Sequence, residues 1–266
     1  MKQLKLMVLT LTLLMGTMFT SCMDSGESGP QQWAGVVKVN DRMGYVTFTD
    51  AAGTELIPTN TIPVTLNARM AYIYCQVDEG QDLSTNPKSI KITLLADPTG
   101  IDATAITTPK VGESGDVTTN ASVGSLSFVS GYSTVAPFQF SENTIVLPVL
   151  YRVKNVTTTE IKNELAKHTF TLVCYTDDIK SGDTILKLYL RYKVEDEPAA
   201  IAERATRTSS FKAYEISQIL REYTLKSGQT KPAKITIVAQ QNEYNNKLED
   251  TSTIEKVYEI EYKTAE

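Results

Sequence analysis

The chain has 266 residues, 41% hydrophobic and 21% charged, with 14 Gly and 10 Pro. That length holds one large or two small domains, and the composition excludes a collagen-like, low-complexity or wholly disordered chain. A formal net charge of −5 argues against a nucleic-acid partner. One His and three Cys starve most metal and redox sites of ligands, so no metal and no cofactor is expected.

Lys2 and Lys5 precede an apolar run from Leu6 to Phe19, and small residues follow it. A basic start, a short apolar middle and small residues at the end are the parts of a secretory signal, and the run is shorter than the roughly 20 residues of a spanning helix. Phe19-Thr20-Ser21-Cys22 resembles the lipobox of bacterial lipoproteins, with Phe19 where that motif usually carries Leu. The resemblance implies a signal peptide over 1–21 and acylation of Cys22; the alternative is an ordinary cleaved signal. Acyl chains contribute about 0.8 kcal/mol per buried methylene, so two or three of them hold a soluble body firmly on a bilayer. Loss of Lys2 and Lys5 takes the formal charge from −5 to −7. Residues 22–32, through MDSGESGPQQ, read as a flexible tether. Asp24 and Glu27 resemble tags that export lipoproteins in diderm bacteria, so the expected place is the outer membrane, on its periplasmic or cell-surface face.

From residue 33 the period is two. Val37 and Val39 alternate with polar neighbours, and Asp41–Gly44 makes a turn. Tyr45–Thr49 and Glu55–Ile57 follow, separated by the turn at Asp50–Gly53. Ala71, Ile73, Cys75 and Val77 share one face of the next run, and Tyr72, Tyr74 and Gln76 the other. Ser89–Leu95 is a fifth candidate. Five short strands over residues 33–98 predict an OB-like five-stranded barrel.

Residues 100–124, rich in Thr, Ser, Gly and Ala, read as a domain boundary and a loose first strand. Beyond them Ile145, Leu147, Val149, Tyr151 and Val153 lie on one face, with Pro148 opposite marking an edge or a bulge. Thr157 three residues before Glu160 predicts a capping box, with Ile161 and Leu165 at i, i+4 on a turn or two of helix. Phe170, Leu172 and Cys174 share a face. Leu186, Leu188, Leu190 and Tyr192 oppose Lys187, Tyr189, Arg191 and Lys193. A second short helix is expected at Ile216–Leu220, then strands at Ile235–Ala239 and Ile254–Tyr262. Residues 99–266 therefore predict an antiparallel β-sandwich, and the whole chain is all-β.

These patterns resemble the NigD-like lipoproteins. The likeness is carried by Lys167–Val173, Leu186–Tyr192, Ser210–Ile216 and Lys234–Ala239, with Tyr192 where that family has His. It implies an N-terminal OB-like barrel, a C-terminal β-sandwich and an immunity-type role beside a bacteriocin gene cluster. No catalytic residues carry over.

A nucleophile–base–acid triad would need His168, the chain's single histidine, which follows Lys167 at a strand entry and reads as a surface or strand-capping residue. Cys75 and Cys174 fall in phase with core residues and read as two free thiols. Asp177, Asp178 and Asp183 around Ser181-Gly182 read as a solvated turn rather than a calcium loop. The residues with binding potential are Trp33, Tyr72 and Tyr74, whose rings suit stacking on a ligand. The expectation is a non-enzymatic envelope lipoprotein, anchored at Cys22 and holding a protein partner, with a glycan-binding lipoprotein using these aromatics as the alternative.

Overall fold

A computed structural model of the protein describes residues 31–42, 45–60, 66–81, 83, 87–113, 115–130 and 133–264. The signal at 1–21, Cys22 and the tether as far as residue 30 lie outside the described residues. The chain divides into two compact units, the first running through Ala103 with Val129–Val135 added, the second comprising Thr104–Phe128 and Ala136 onward.

The first unit holds β1 (Gln32–Arg42), β2 (Tyr45–Thr49), β3 (Glu55–Pro58), β4 (Met70–Val77), β5 (Ser89–Leu94) and β6 (Thr99–Ile101). Strand order β1-β2-β3-β5-β4 returns to β1, closing a five-stranded barrel, and β6 adds to the flank of β4. Closure works because β1 is long. Its residues 38–42 pair with β2 while 32–38 pair with β4. The β3–β5 pair runs parallel and the others antiparallel. Alternation then fills the interior: Val37, Phe48, Leu56, Ile73, Cys75, Ile90 and Ile92 form one buried cluster.

The second unit opens with β7 (Ala103–Ala105). The ribbon of β8 (Phe128–Ser130) with β9 (Ser133–Val135) falls, from Val129 on, to the first unit, and the second resumes with β10 (Phe138–Ser141) and β11 (Thr144–Val153). Then come α1 (Ile161–Ala166), β12 (His168–Val173), β13 (Ile185–Val194), α2 (Pro198–Ala202), β14 (Thr206–Glu215), α3 (Ser217–Ser227), β15 (Lys234–Gln241) and β16 (Ile254–Glu261). One sheet has the order β10-β11-β14-β7, the other β12-β13-β15-β16. Their inner faces share one core, from Ile145, Leu147 and Val149 to Leu172, Leu188 and Ile237, and the Tyr214 hydroxyl of one sheet donates to the Phe170 carbonyl of the other at 3.0 Å.

Several details differ from the sequence expectations. The sandwich is not wholly antiparallel, because β13 and β15 pair parallel; the long excursion between them, through α2, β14 and α3, returns the chain to the same end of the sheet. Pro148 sits within β11 at a buried position. Its missing N–H falls on the β10 side, beyond the last paired residue Val146 and before the Leu150–Ser125 bridge, so no ladder bond is lost. The helix expected at Ile216–Leu220 is α3, which runs on to Ser227, where Gly228 at φ 75° supplies the left-handed C-cap.

The division between the two units falls within the stretch 100–124, at Ala103–Thr104, and the end of the stretch is tied into the second unit. Ala121 and Val123 are fully buried. The Asn120 side chain bonds both the N–H and the C=O of Val194, and Ser122 N–H donates to the Asn246 carbonyl. Small polar residues suit it because irregular backbone crossing a core must find partners for its own N–H and C=O groups.

Candidate functional site

Of the residues with expected binding potential, Tyr72 and Tyr74 share the outer face of β4, where Tyr74 is 39% exposed and its hydroxyl donates to Gln32 Oε1. Trp33 pairs in register with Cys75, on the opposite side of the barrel wall, and packs against the barrel core. Its ring lies across Gly35, where a Cβ would come within 2.6 Å of it, which is why glycine stands there. The three rings are not brought onto one platform.

His168 corrects the sequence expectation most. It is sealed in the core, in phase with Phe170 and Leu172. Its Nδ1 lies 2.6 Å from the Tyr192 hydroxyl and its Nε2 3.3 Å from Glu164 Oε1. Glu164 is the buried residue of α1. Thr157 and Glu160 do pair, the Glu160 carboxylate accepting from the Thr157 hydroxyl at 2.7 Å, but the N-cap of α1 is Glu160 itself with no side-chain cap bond, so the expected capping box is not formed.

Arg204, 1% exposed, donates from Nε to Glu164 Oε1 at 2.8 Å, from Nη2 to Asp196 at 3.0 Å and from Nη1 to the Ala200 carbonyl. The Lys154 N–H also donates to Glu164. Burial pushes the His168 imidazole below its ordinary pKa, outweighing the opposing bond to Glu164. Burial would raise Glu164, but bonds from Lys154, His168 and Arg204 prevail and hold it low. Glu164, His168, Tyr192 and Arg204 are each hydrogen-bonded and buried, and Asp196 closes the cluster at its half-buried edge. The cluster therefore holds α1, β12, β13 and the segment after α2 together.

The cysteines are equally withdrawn. Cys75 and Cys174 are free and buried, and burial pushes each thiol up to about 12.

A different arrangement lies on the outer face of the β12-β13-β15-β16 sheet. A cleft of about 440 Å³ is lined by Asp116, Thr119, Tyr175, Arg191, Gln240 and Leu248 among others. Arg191 Nη2 donates to the Tyr175 hydroxyl at 2.8 Å, and that hydroxyl donates to Asp116 Oδ1 at 2.9 Å. The Arg191 guanidinium carbon lies 5.6 Å from the Tyr175 ring centre and 5.2 Å from that of Tyr189, and Lys187 Nζ lies 5.0 Å from the Tyr189 ring. The Gly112 N–H and the Tyr175 hydroxyl hold Asp116 below its ordinary pKa. Two buried polar atoms here, Arg191 Nε and Thr119 Oγ1, have no hydrogen-bond partner among the described residues.

The sequence singled out neither Asp116 nor Tyr175. Arg191 was legible as an outward residue of an alternating strand, but not as the centre of a cleft.

The loop joining β15 to β16 is stiff. Asn242 Oδ1 accepts from the N–H groups of Tyr244 and Asn245, its amide donates to Asn245 and Thr253, and Asn245 donates to Asp250. The Asn246 amide reaches the Arg152 carbonyl across the core at 3.0 Å. On this frame Tyr244 stands 75% exposed.

Among the described residues the fold is a two-unit all-β protein in which His168, Cys75 and Cys174 are buried and one polar cleft, at Arg191, opens outward. No family profile matches the chain, and none of the curated proteins matches it in sequence. Among solved structures it is 96% identical to a candidate lipoprotein from Bacteroides fragilis, with a TM-score of 0.83, covering 89% of this chain and 100% of that one. The chain belongs to the same Bacteroides lipoprotein family as that protein. The fold recurs at 10% identity and a TM-score of 0.54 in a Bacteroides vulgatus protein of unknown function, DUF1344, over 87% of this chain and 91% of that one. A NigD-like immunity protein from Bacteroides caccae is similar at 10% identity and a TM-score of 0.48, over 87% and 93%.

Proposed function

We propose that this is a non-enzymatic envelope lipoprotein, anchored through acylated Cys22, that works by holding a protein partner in the manner of an immunity-type NigD-like protein. The carrying observation is the 242–253 loop, fixed by its own asparagine bonds and displaying Tyr244. A rigid loop with an exposed tyrosine gives up little conformational entropy on binding, and tyrosine is enriched among the residues that dominate interface energetics. Burial of His168, Cys75 and Cys174 supports binding over bond-making, since each would need access to substrate to act.

Affinity capture from a Bacteroides envelope extract with the full chain tests it. A specific protein should co-purify and be lost with Tyr244→Ala; capture unchanged by that substitution would refute the role of the tyrosine ring, and capture unchanged by Asn242→Ala as well would refute the loop's role. Mass spectrometry of the purified chain should find a diacylglyceryl group on Cys22, and an unmodified thiol would refute the anchor.

A further inference from the structure

We propose that the cleft at Asp116, Tyr175 and Arg191 binds a neutral sugar, a ligand class distinct from the protein partner and resting only on the reading of this chain as a binder. Three observations carry the assignment.

First, the cleft has unspent hydrogen-bonding capacity. Arg191 carries five N–H donors; one is met by Tyr175, and Nε is buried without a partner, as is the Thr119 hydroxyl. Such groups are rarely left unpaired inside a folded protein, and a recess of about 440 Å³ beside them lies within the ~300–1,000 Å³ of ligand clefts.

Second, charge selects the ligand. Asp116 and Arg191 line the same recess, so an anion meets the carboxylate and a cation meets the guanidinium. A neutral ring of hydroxyls suits both, because each hydroxyl donates and accepts: it can give to Asp116 and receive from Arg191, while Gln240 and Thr119 serve either way.

Third, the donors are held in place. The Tyr175 and Tyr189 rings flank the guanidinium, and the Gly112 N–H and the Tyr175 hydroxyl fix Asp116, so ordering them costs the ligand little. Leu248 adds an apolar wall for the C–H face of a sugar.

The test is a glycan array of neutral, sialylated and sulfated oligosaccharides probed with the full chain, followed by calorimetry with the best neutral disaccharide. Neutral glycans should bind. Arg191→Gln and Asp116→Asn should each weaken binding about tenfold or more, the loss expected for a hydrogen bond to a charged group. Thr119→Val should weaken it several-fold without lowering the melting temperature, because the hydroxyl it removes has no partner in the free protein. Tyr72→Ala and Tyr74→Ala, on the barrel, should leave affinity unchanged.

No neutral glycan bound, binding confined to acidic glycans, or binding that survives the cleft variants and is lost with the barrel tyrosines would each overturn the assignment. Partner capture by the Tyr244 loop is scored separately, so failure of one reading is distinguishable from failure of the other.

Discussion

Two places in the sandwich unit bring an arginine, a carboxylate and tyrosine together, and they are finished differently. Around Arg204, Glu164, His168 and Tyr192 the donors are matched and solvent is excluded. Around Arg191, Asp116 and Tyr175 the same residue types open onto a cleft and leave Arg191 Nε and Thr119 Oγ1 unpartnered. Saturation marks a structural cluster, and residual capacity beside an opening marks a binding site. Residue type alone does not separate the two.

The comparison breaks most visibly at the sealed cluster. Arg204→Ala strips a buried carboxylate of its cation and should cost about 3–5 kcal/mol in chemical denaturation. The double variant Arg204→Gln/Glu164→Gln should recover part of that, since no uncompensated charge remains. A loss below about 1 kcal/mol for the single variant would mean that Glu164 finds solvent and that the cluster is not closed.

His168→Phe should cost about 1–3 kcal/mol, because the Tyr192 hydroxyl and one Glu164 contact lose their partner. It should also change the pH profile. The folded imidazole has a lowered pKa, so the unfolded chain takes up the proton first. The stability due to neutral His168 is therefore full above about 6.5, the unfolded value, and is lost as pH falls through the folded one. Glu164, also lowered, adds a further loss at more acidic pH. The Phe variant should lack the first of these losses, so the stability gap between the two proteins narrows below pH 6.5. A parallel offset at all pH values would mean that His168 titrates normally in the folded state.

How much of this was legible follows from period and distance. The five barrel strands announce themselves by alternation between turns, and observed β2, β3 and β5 lie within a residue or so of the expected runs. The parallel β13–β15 pair was not legible, because alternation says which face a residue takes and nothing about which strand lies beside it. The burial of His168 is legible in the sequence: extending the phase of Phe170 and Leu172 back by two residues turns it inward. That of Arg204 is not. It follows a five-residue helix with no period to extend, and its partners lie 40 and 8 residues away. Asp116 sits in a Thr- and Gly-rich stretch where no periodic signal exists, so its meeting with Tyr175, 59 residues on, depends on tertiary structure alone.

At the open site the effect on stability should reverse sign. Thr119→Val removes a buried hydroxyl that has no partner, so the free protein should be unchanged or more stable by up to about 1 kcal/mol. Thermal unfolding without ligand reads this directly. A destabilisation of 1 kcal/mol or more would mean that the hydroxyl is already satisfied, which would put this site in the same category as the sealed one.

The smallest effect on stability belongs to Tyr244→Ala, within about 0.5 kcal/mol, because an exposed side chain contributes little to the fold. Its value lies in the contrast with Asn242→Ala, which removes both acceptor bonds to the backbone of the same loop and should cost about 1–2 kcal/mol. If Tyr244 is the contact and Asn242 only its support, both variants should weaken partner capture, the first at full stability and the second with a loosened loop. Capture that fails with Asn242→Ala alone would move the contact from the tyrosine ring to the shape of the loop backbone.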